Sequence, residues 1–262
     1  MSTMSPLLGC LEIQIGYLDR MKNCLIYQPG GLGDIMFIQP IIDNYINQGY
    51  TVNYPILSEY FKMVNEYIVK DNLIWYDENN LTYLPLLEFY SKGIEYKDEE
   101  NIYVPLEYSD WYIISNGPNI AKYFYTNTPL GDWRNHLNIK RNREREQKLI
   151  DKYNLHGDYI IINNEFTGLP YTRTINVESN LKIHHMNWRQ DQDSGFHLFD
   201  WIGALENAKE IHSVGTSVCY IIDKYCTNNT IFIYERRLDG QPRNYHRDHY
   251  IVYRNPNWVY MN

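Results

Sequence analysis

Cysteine is scarce and badly spaced for metal binding. The chain has four, Cys10, Cys24, Cys219 and Cys226, and no two form a CxxC pair. That spacing matches no zinc site and fits a reducing compartment. Cys24 and Cys219 lie in apolar runs and read as small buried hydrophobes. Long apolar stretches are missing too, since no run reaches the 18 residues of a membrane-spanning helix. The first twenty residues lack the basic start and apolar centre of a signal peptide. A cytoplasmic location is therefore expected, in a bacterium or in the host cytoplasm if the chain is viral. Alanine is nearly absent, at Ala121, Ala204 and Ala208 alone.

Positive charge is also in short supply. Lys and Arg number 24 against 32 Asp and Glu, a net charge of −8. Nucleic acids and anionic membranes need clustered cations, so general binding to either is disfavoured. The deficit is local, however. Residues 1–130 hold 7 basic and 16 acidic side chains, whereas residues 131–262 hold 17 and 16 and all eight histidines. A small phosphorylated ligand is expected in the second half.

What remains is ordinary for a folded chain: 262 residues, 44% hydrophobic and 21% charged, enough for one large domain or two small ones. Tyrosine occurs 26 times and asparagine 28 times. Both have AT-rich codons, so the surplus is weak evidence for carbohydrate binding.

Elements alternate along the chain. Cys24–Gln28 reads as a strand, followed by a glycine-rich turn over Pro29–Gly33 and a helix over Ile35–Gln48 that stops at Gly49. Further strands are expected at 50–54, 73–76, 102–105, 159–163, 210–214, 231–234 and 250–253. Helices are expected at 58–69, at the end of 108–127, at 196–208 with Ser194 near its start, and at 218–225. This alternation predicts an α/β class with parallel sheets. The run Lys140–Lys148 reads as a solvated helix face near a linker.

Three strand ends carry polar, flexible residues, the usual place for ligands in open α/β sheets. The first is Gly30, Gly31, Gly33 and Asp34. It is not GxGxxG and no GK[ST] follows it, so dinucleotide and P-loop readings are weak. Asp34 reads either as a helix cap or as a general base. The second is Gly215-Thr216-Ser217, where strand passes into helix. Backbone N–H groups and the helix N-terminus there suit a phosphate, unless the hydroxyls serve only as caps. The third is the loop with Thr167 and Arg173, where the arginine can pair with phosphate. Asp191 and Asp193 have metal-ligand spacing, but the polar stretch before them is not the expected strand. No metal site is assigned. His184 and His185 would point to opposite faces of a strand.

Tyr27–Asp34, followed by Pro40, resembles the amino-terminal signature of heptosyltransferase-like glycosyltransferases with the GT-B fold. Phe199–Ala208 and then Ile211–Ser217 resemble the carboxyl-terminal donor-binding stretch of the same family, although the chain has Gly-Thr-Ser where the family usually has Asp-Ser/Thr-Gly followed by His. The resemblance implies two Rossmann-like domains facing a central cleft. Residues 21–140 would bind the acceptor and 141–262 the nucleotide sugar, with 1–20 as an extension.

The resemblance further implies an inverting, metal-independent transfer of a sugar from a nucleoside diphosphate sugar to a glycan or other hydroxyl acceptor, with no cofactor. Asp34 would be the base and Gly215, Thr216 and Ser217 the pyrophosphate turn. Thr167, Arg173 and Glu235 are further donor-binding candidates from their places at strand ends, Arg173 for the diphosphate and Glu235 for ribose hydroxyls. Three alternatives stay open. One is the same chemistry on a hydroxymethylated DNA base, using Lys140–Lys148 with Arg236, Arg237, Arg243 and Arg247. Another is a non-catalytic nucleotide- or sugar-binding protein. The third is a metal-dependent enzyme using Asp191 and Asp193.

Overall fold

A computed structural model of the chain describes residues 22–28, 31–92, 96–106, 118–129, 131–166, 173–234 and 255–261. The proposed extension 1–20, Gly30, Thr167, Glu235, the four arginines at 236–247 and the strand expected at 250–253 lie outside them. No helix among the described residues is long and apolar enough to cross a membrane.

The first half begins with β1 (Lys22–Tyr27), whose Cys24, Leu25 and Ile26 are completely buried, as in a strand covered on both faces. Next come α1 (Leu32–Phe37), α2 (Gln39–Asn47), β2 (Tyr50–Ile56), α3 (Ser58–Tyr67), β3 (Leu73–Asp77), α4 (Leu87–Lys92), β4 (Tyr96–Lys97), β5 (Asn101–Pro105) and α5 (Pro118–Tyr125). The strands order as β3-β2-β1-β5-β4. All neighbours pair in parallel except β4, which is antiparallel to β5.

The second half starts with α6 (Arg143–Lys152), then β6 (Tyr159–Asn163), β7 (Lys182–His185), α7 (Trp188–Asp191), α8 (Ile202–Asn207), β8 (Glu210–Val214), α9 (Val218–Tyr225), β9 (Thr230–Tyr234) and β10 (Val259–Met261). Its sheet, ordered β10-β9-β8-β6-β7, is parallel throughout. The chain is therefore α/β with two Rossmann-like domains.

Three expected elements differ for identifiable reasons. The helix expected over Ile35–Gln48 starts earlier, at Leu32, and is split at Ile38. Pro40 at its second turn has no N–H to continue the ladder. Gln39 fills the gap by donating its side-chain Nε2 to the Ile35 carbonyl at 2.8 Å. The helix expected over Phe196–Ala208 opens as a 3₁₀ turn, Leu198–Trp201, and becomes α-helical only at Ile202. Ser194 does not cap it but sits in a separate 3₁₀ turn, and Asp200 instead accepts from the His197 N–H at 2.7 Å. The run Lys140–Lys148 is only partly solvated. Lys148 pairs with Glu144 on the outside, while Arg141 bonds Glu146 and Glu206, and Arg145 bonds Asp200.

Much of the tyrosine surplus is structural. Tyr54, Tyr67, Tyr123, Tyr159 and Tyr220 are among the largest fully buried side chains. Tyr123 donates to the Phe37 carbonyl and Tyr159 to that of Ala204, so the rings fill the core while their hydroxyls tie its elements together.

Candidate active site

β1 delivers the chain at Tyr27 to the glycine-rich turn, and Gly31 is the N-cap of α1. Asp34 is thus in the first turn, three residues past the cap, and is not itself the cap. Its carboxylate benefits from the positive helix end and from Lys122 of α5, whose Nζ lies 3.3 Å from Oδ1. Burial pulls the Lys122 pKa down, and Asp34 opposes the shift. The buried Tyr54 phenol is pushed up, first by desolvation and then by the Asp34 charge. Among the described residues its hydroxyl has no hydrogen-bond partner, and neither does either amide atom of the buried Gln28, which follows β1.

Gly33 serves a purpose different from turn flexibility. A Cβ there would sit 3.1 Å from Tyr220 Cε2 and 3.6 Å from Ser217 Cα. The glycine lets α1 rest directly on the start of α9. By contrast, a Cβ on Gly31 would meet nothing within 4 Å.

On the other side, β6 ends at Asn163 and β8 at Val214. Asn163 is fully buried, and its Nδ2 donates to Ser213 Oγ at 3.0 Å and to Thr216 Oγ1 at 3.2 Å. Thr216 Oγ1 also accepts from the Val218 N–H at 3.3 Å, so Thr216, not Ser217, makes the local side-chain bond at the start of α9. Gly215 N–H donates to the Tyr234 carbonyl. Among the described residues the N–H groups of Thr216 and Ser217 meet no acceptor, which suits the turn to an anion. Arg173 lies at the same sheet end. Its N–H donates to the Asn164 carbonyl, and its guanidinium is 5.5 Å from the Tyr234 ring centre.

The structure therefore brings Gly33, the residue before Asp34, against Ser217 of the second turn and sets Arg173 by the strand ends of the second sheet. Lys122 and Tyr54 beside Asp34, and Asn163 beside Thr216, join the site without having been expected from sequence. A single lysine in the apolar helix Pro118–Tyr125 and an asparagine closing the run Tyr-Ile-Ile-Ile were the available signals. Asp191 is occupied. It accepts from Lys152, Tyr153 and Trp201 Nε1 and is almost fully buried. His184 packs against both Tyr153 and Trp201. Among the described residues no three His, Cys, Asp or Glu side chains cluster as metal ligands.

No protein-family model matches the chain, and no curated protein sequence is similar to it. Solved structures do match. A glycosyl transferase of family 9 from Veillonella parvula aligns over 93% of this chain and 87% of its own, with a TM-score of 0.52 and 11% identity. The Escherichia coli heptosyltransferase WaaC, solved with ADP-2-deoxy-2-fluoro heptose, aligns over 92% and 93%, with a TM-score of 0.46 and 9% identity. The match to the Veillonella protein spans nearly all of both chains, and what the two share is the fold.

Proposed function

We propose that the chain is a glycosyltransferase that moves a sugar from a nucleoside diphosphate sugar to an acceptor hydroxyl, with inversion and without a resident metal or cofactor. The observation that carries this reading is the meeting of two turns. Gly33, next to the candidate base, packs on Ser217 at the start of α9, where two backbone N–H groups are available to an anion.

In the proposed reaction the acceptor oxygen attacks the anomeric carbon, the bond from that carbon to the diphosphate oxygen breaks, and the acceptor proton passes to Asp34. A well-placed base of this kind contributes about 10²–10⁴-fold. The diphosphate leaves toward Gly215, Thr216 and Ser217, where the α9 N-terminus and Arg173 stabilise the developing charge. Thr167 and Glu235 are assigned to the donor by their neighbourhood in sequence. A DNA acceptor is disfavoured because Arg141 and Arg145 are engaged with carboxylates.

The test has two parts. A thermal-shift screen against nucleotide sugars should find one that stabilises the protein, by about 2.7 kcal/mol at 100-fold excess over Kd. Asp34→Asn should keep that stabilisation and lose transfer. Absence of any stabilising nucleotide sugar sinks the transferase reading, and normal turnover by Asp34→Asn removes the base.

A further inference from the structure

The first domain carries a cavity of about 810 Å³ away from Asp34, within the roughly 300–1,000 Å³ typical of small-molecule sites. Its position is set by chain direction. Tyr50 opens β2, Gln48 follows the last residue of α2, and Asn127 lies just past the end of α5. All three mark the amino ends of the parallel strands, whereas Asp34 follows the carboxyl end of β1. The six residues of β1 span about 20 Å.

The lining is distinctive. Five tyrosines border it: Tyr45 and Tyr50 belong to the buried face of the sheet under α2, Tyr96 and Tyr103 to the opposite face with Leu25, and Tyr125 carries the exposed ring. Asn44, Gln48 and Asn127 supply three amides, each able to donate and to accept. Lys97 is the one ionised side chain among the described lining residues, and none is a carboxylate.

Several of these groups are held in place. Tyr96 stacks on Phe89 with ring centres 3.8 Å apart, and its phenol donates to Asp98 at 2.6 Å. Tyr45 and Tyr50 meet edge to face at 6.0 Å. Asn44 donates its Nδ2 to Thr128 Oγ1 at 3.1 Å.

A cation would require carboxylates in the wall, and among the described lining residues there are none. A polyanion would meet a half-chain with 16 acidic and 7 basic residues. Neutral vicinal hydroxyls match amides that both donate and accept, and the C–H face of a sugar ring matches the exposed Tyr125 ring with its polar tip. We propose that this groove is a second binding site, for a neutral oligosaccharide, separate from the transfer site. It holds a glycan chain on the first domain and does not depend on Asp34 being a base.

The probes are maltotriose, cellotriose, mannotriose and triacetylchitotriose, titrated into the full chain by calorimetry. Tyr125 and Asn127 are exposed, and Asn127 has a positive φ of 50° that glycine accepts, so Tyr125→Ala and Asn127→Gly leave the core intact. At least one trisaccharide should bind saturably, each of these variants should weaken it at least 5-fold, and Asp34→Asn should leave it unchanged. The proposal is overturned if none of the four binds, if both groove variants bind like the parent, or if Asp34→Asn alone abolishes binding. A chain that binds a trisaccharide here yet is stabilised by no nucleotide sugar keeps the groove and loses the transferase reading, so the two failures are distinguishable.

Discussion

Lys122 Nζ stands 3.3 Å from Asp34 Oδ1, joining the first turn of α1 to α5 across 88 positions of sequence. The lysine side chain is 9% exposed and the aspartate 34%, so the pair is poised at the edge of the interior. Lys122 is drawn toward neutrality by burial and kept charged by Asp34. If Asp34 is the base, the role this pairing would give Lys122 is to orient the carboxylate.

Replacing it tests that role. Lys122→Met keeps the length and removes the charge. Since misplacing a reacting group by about 1 Å costs roughly 100-fold, kcat should fall about 10- to 100-fold. Donor KM should stay within about 2-fold, because the donor turn is on α9 and is untouched. Steady-state kinetics read the split, and a change confined to donor KM would count against a positioning role.

Gly33→Ala addresses the contact between the two turns. The new methyl would lie 3.1 Å from a ring carbon of Tyr220. Tyr220 has little room to retreat, being 1% exposed and packed edge-on against Trp133 at 4.9 Å. Overpacking of this kind costs about 1–3 kcal/mol. Urea unfolding should show that loss for Gly33→Ala and almost none for Gly31→Ala, where a Cβ meets nothing.

The strands and helices of the second half were the most legible in sequence. Tyr159–Asn163, Glu210–Val214 and Val218–Tyr225 have the same bounds in sequence pattern and structure, because each is an apolar run closed by polar residues. β7 was missed because Lys-Ile-His-His lies at the sheet edge and carries no apolar period. The split at Ile38 was written in Pro40, but the helical stripe on either side outweighed it. At the candidate site both turns were visible as strand ends. Their contact was not, because it depends on how α1 packs on α9. Lys122 and Asn163 were hidden for the opposite reason, each being a lone polar residue in an apolar element whose partner lies far away in sequence.

Tyr67 provides a test of how the two halves are joined. Its hydroxyl donates to Asp200, which is fully buried and also accepts from Arg145 Nε at 3.0 Å and from the His197 N–H. Burial and the Asp200 carboxylate push the Tyr67 phenol up, so it remains a donor across the working range of pH. Tyr67→Phe removes one bond to a charged acceptor that keeps its other donors, and should cost about 1.5–3 kcal/mol. Tyr54→Phe, at a buried tyrosine whose hydroxyl has no hydrogen-bond partner among the described residues, serves as the control for loss of a phenol. Equal unfolding midpoints for the two variants would show that the Asp200 bond contributes nothing special.

Acid sensitivity should come first from histidine. Burial lowers the pKa of His184, His197 and His212 below the ordinary value of 6.5. The unfolded chain then binds more protons than the folded one below about pH 6.5, so stability is complete above that value and is lost as pH falls through the depressed values. The carboxylates with lowered values act further down, Asp98 at about 2. His184 is the cleanest probe. It packs against Tyr153 and Trp201, with ring centres 4.6 and 5.5 Å away, and those two rings also stack on each other. The charges around it are Lys182 and His185, which lower its pKa further, and Asp191, which opposes them. His184→Phe preserves the stack and removes the titration. Tm measured between pH 5 and 7.5 should fall less steeply with acid for this variant than for the parent, with the curves meeting or crossing near pH 7. Parallel curves over that range would mean that His184 takes up its proton equally well in the folded chain.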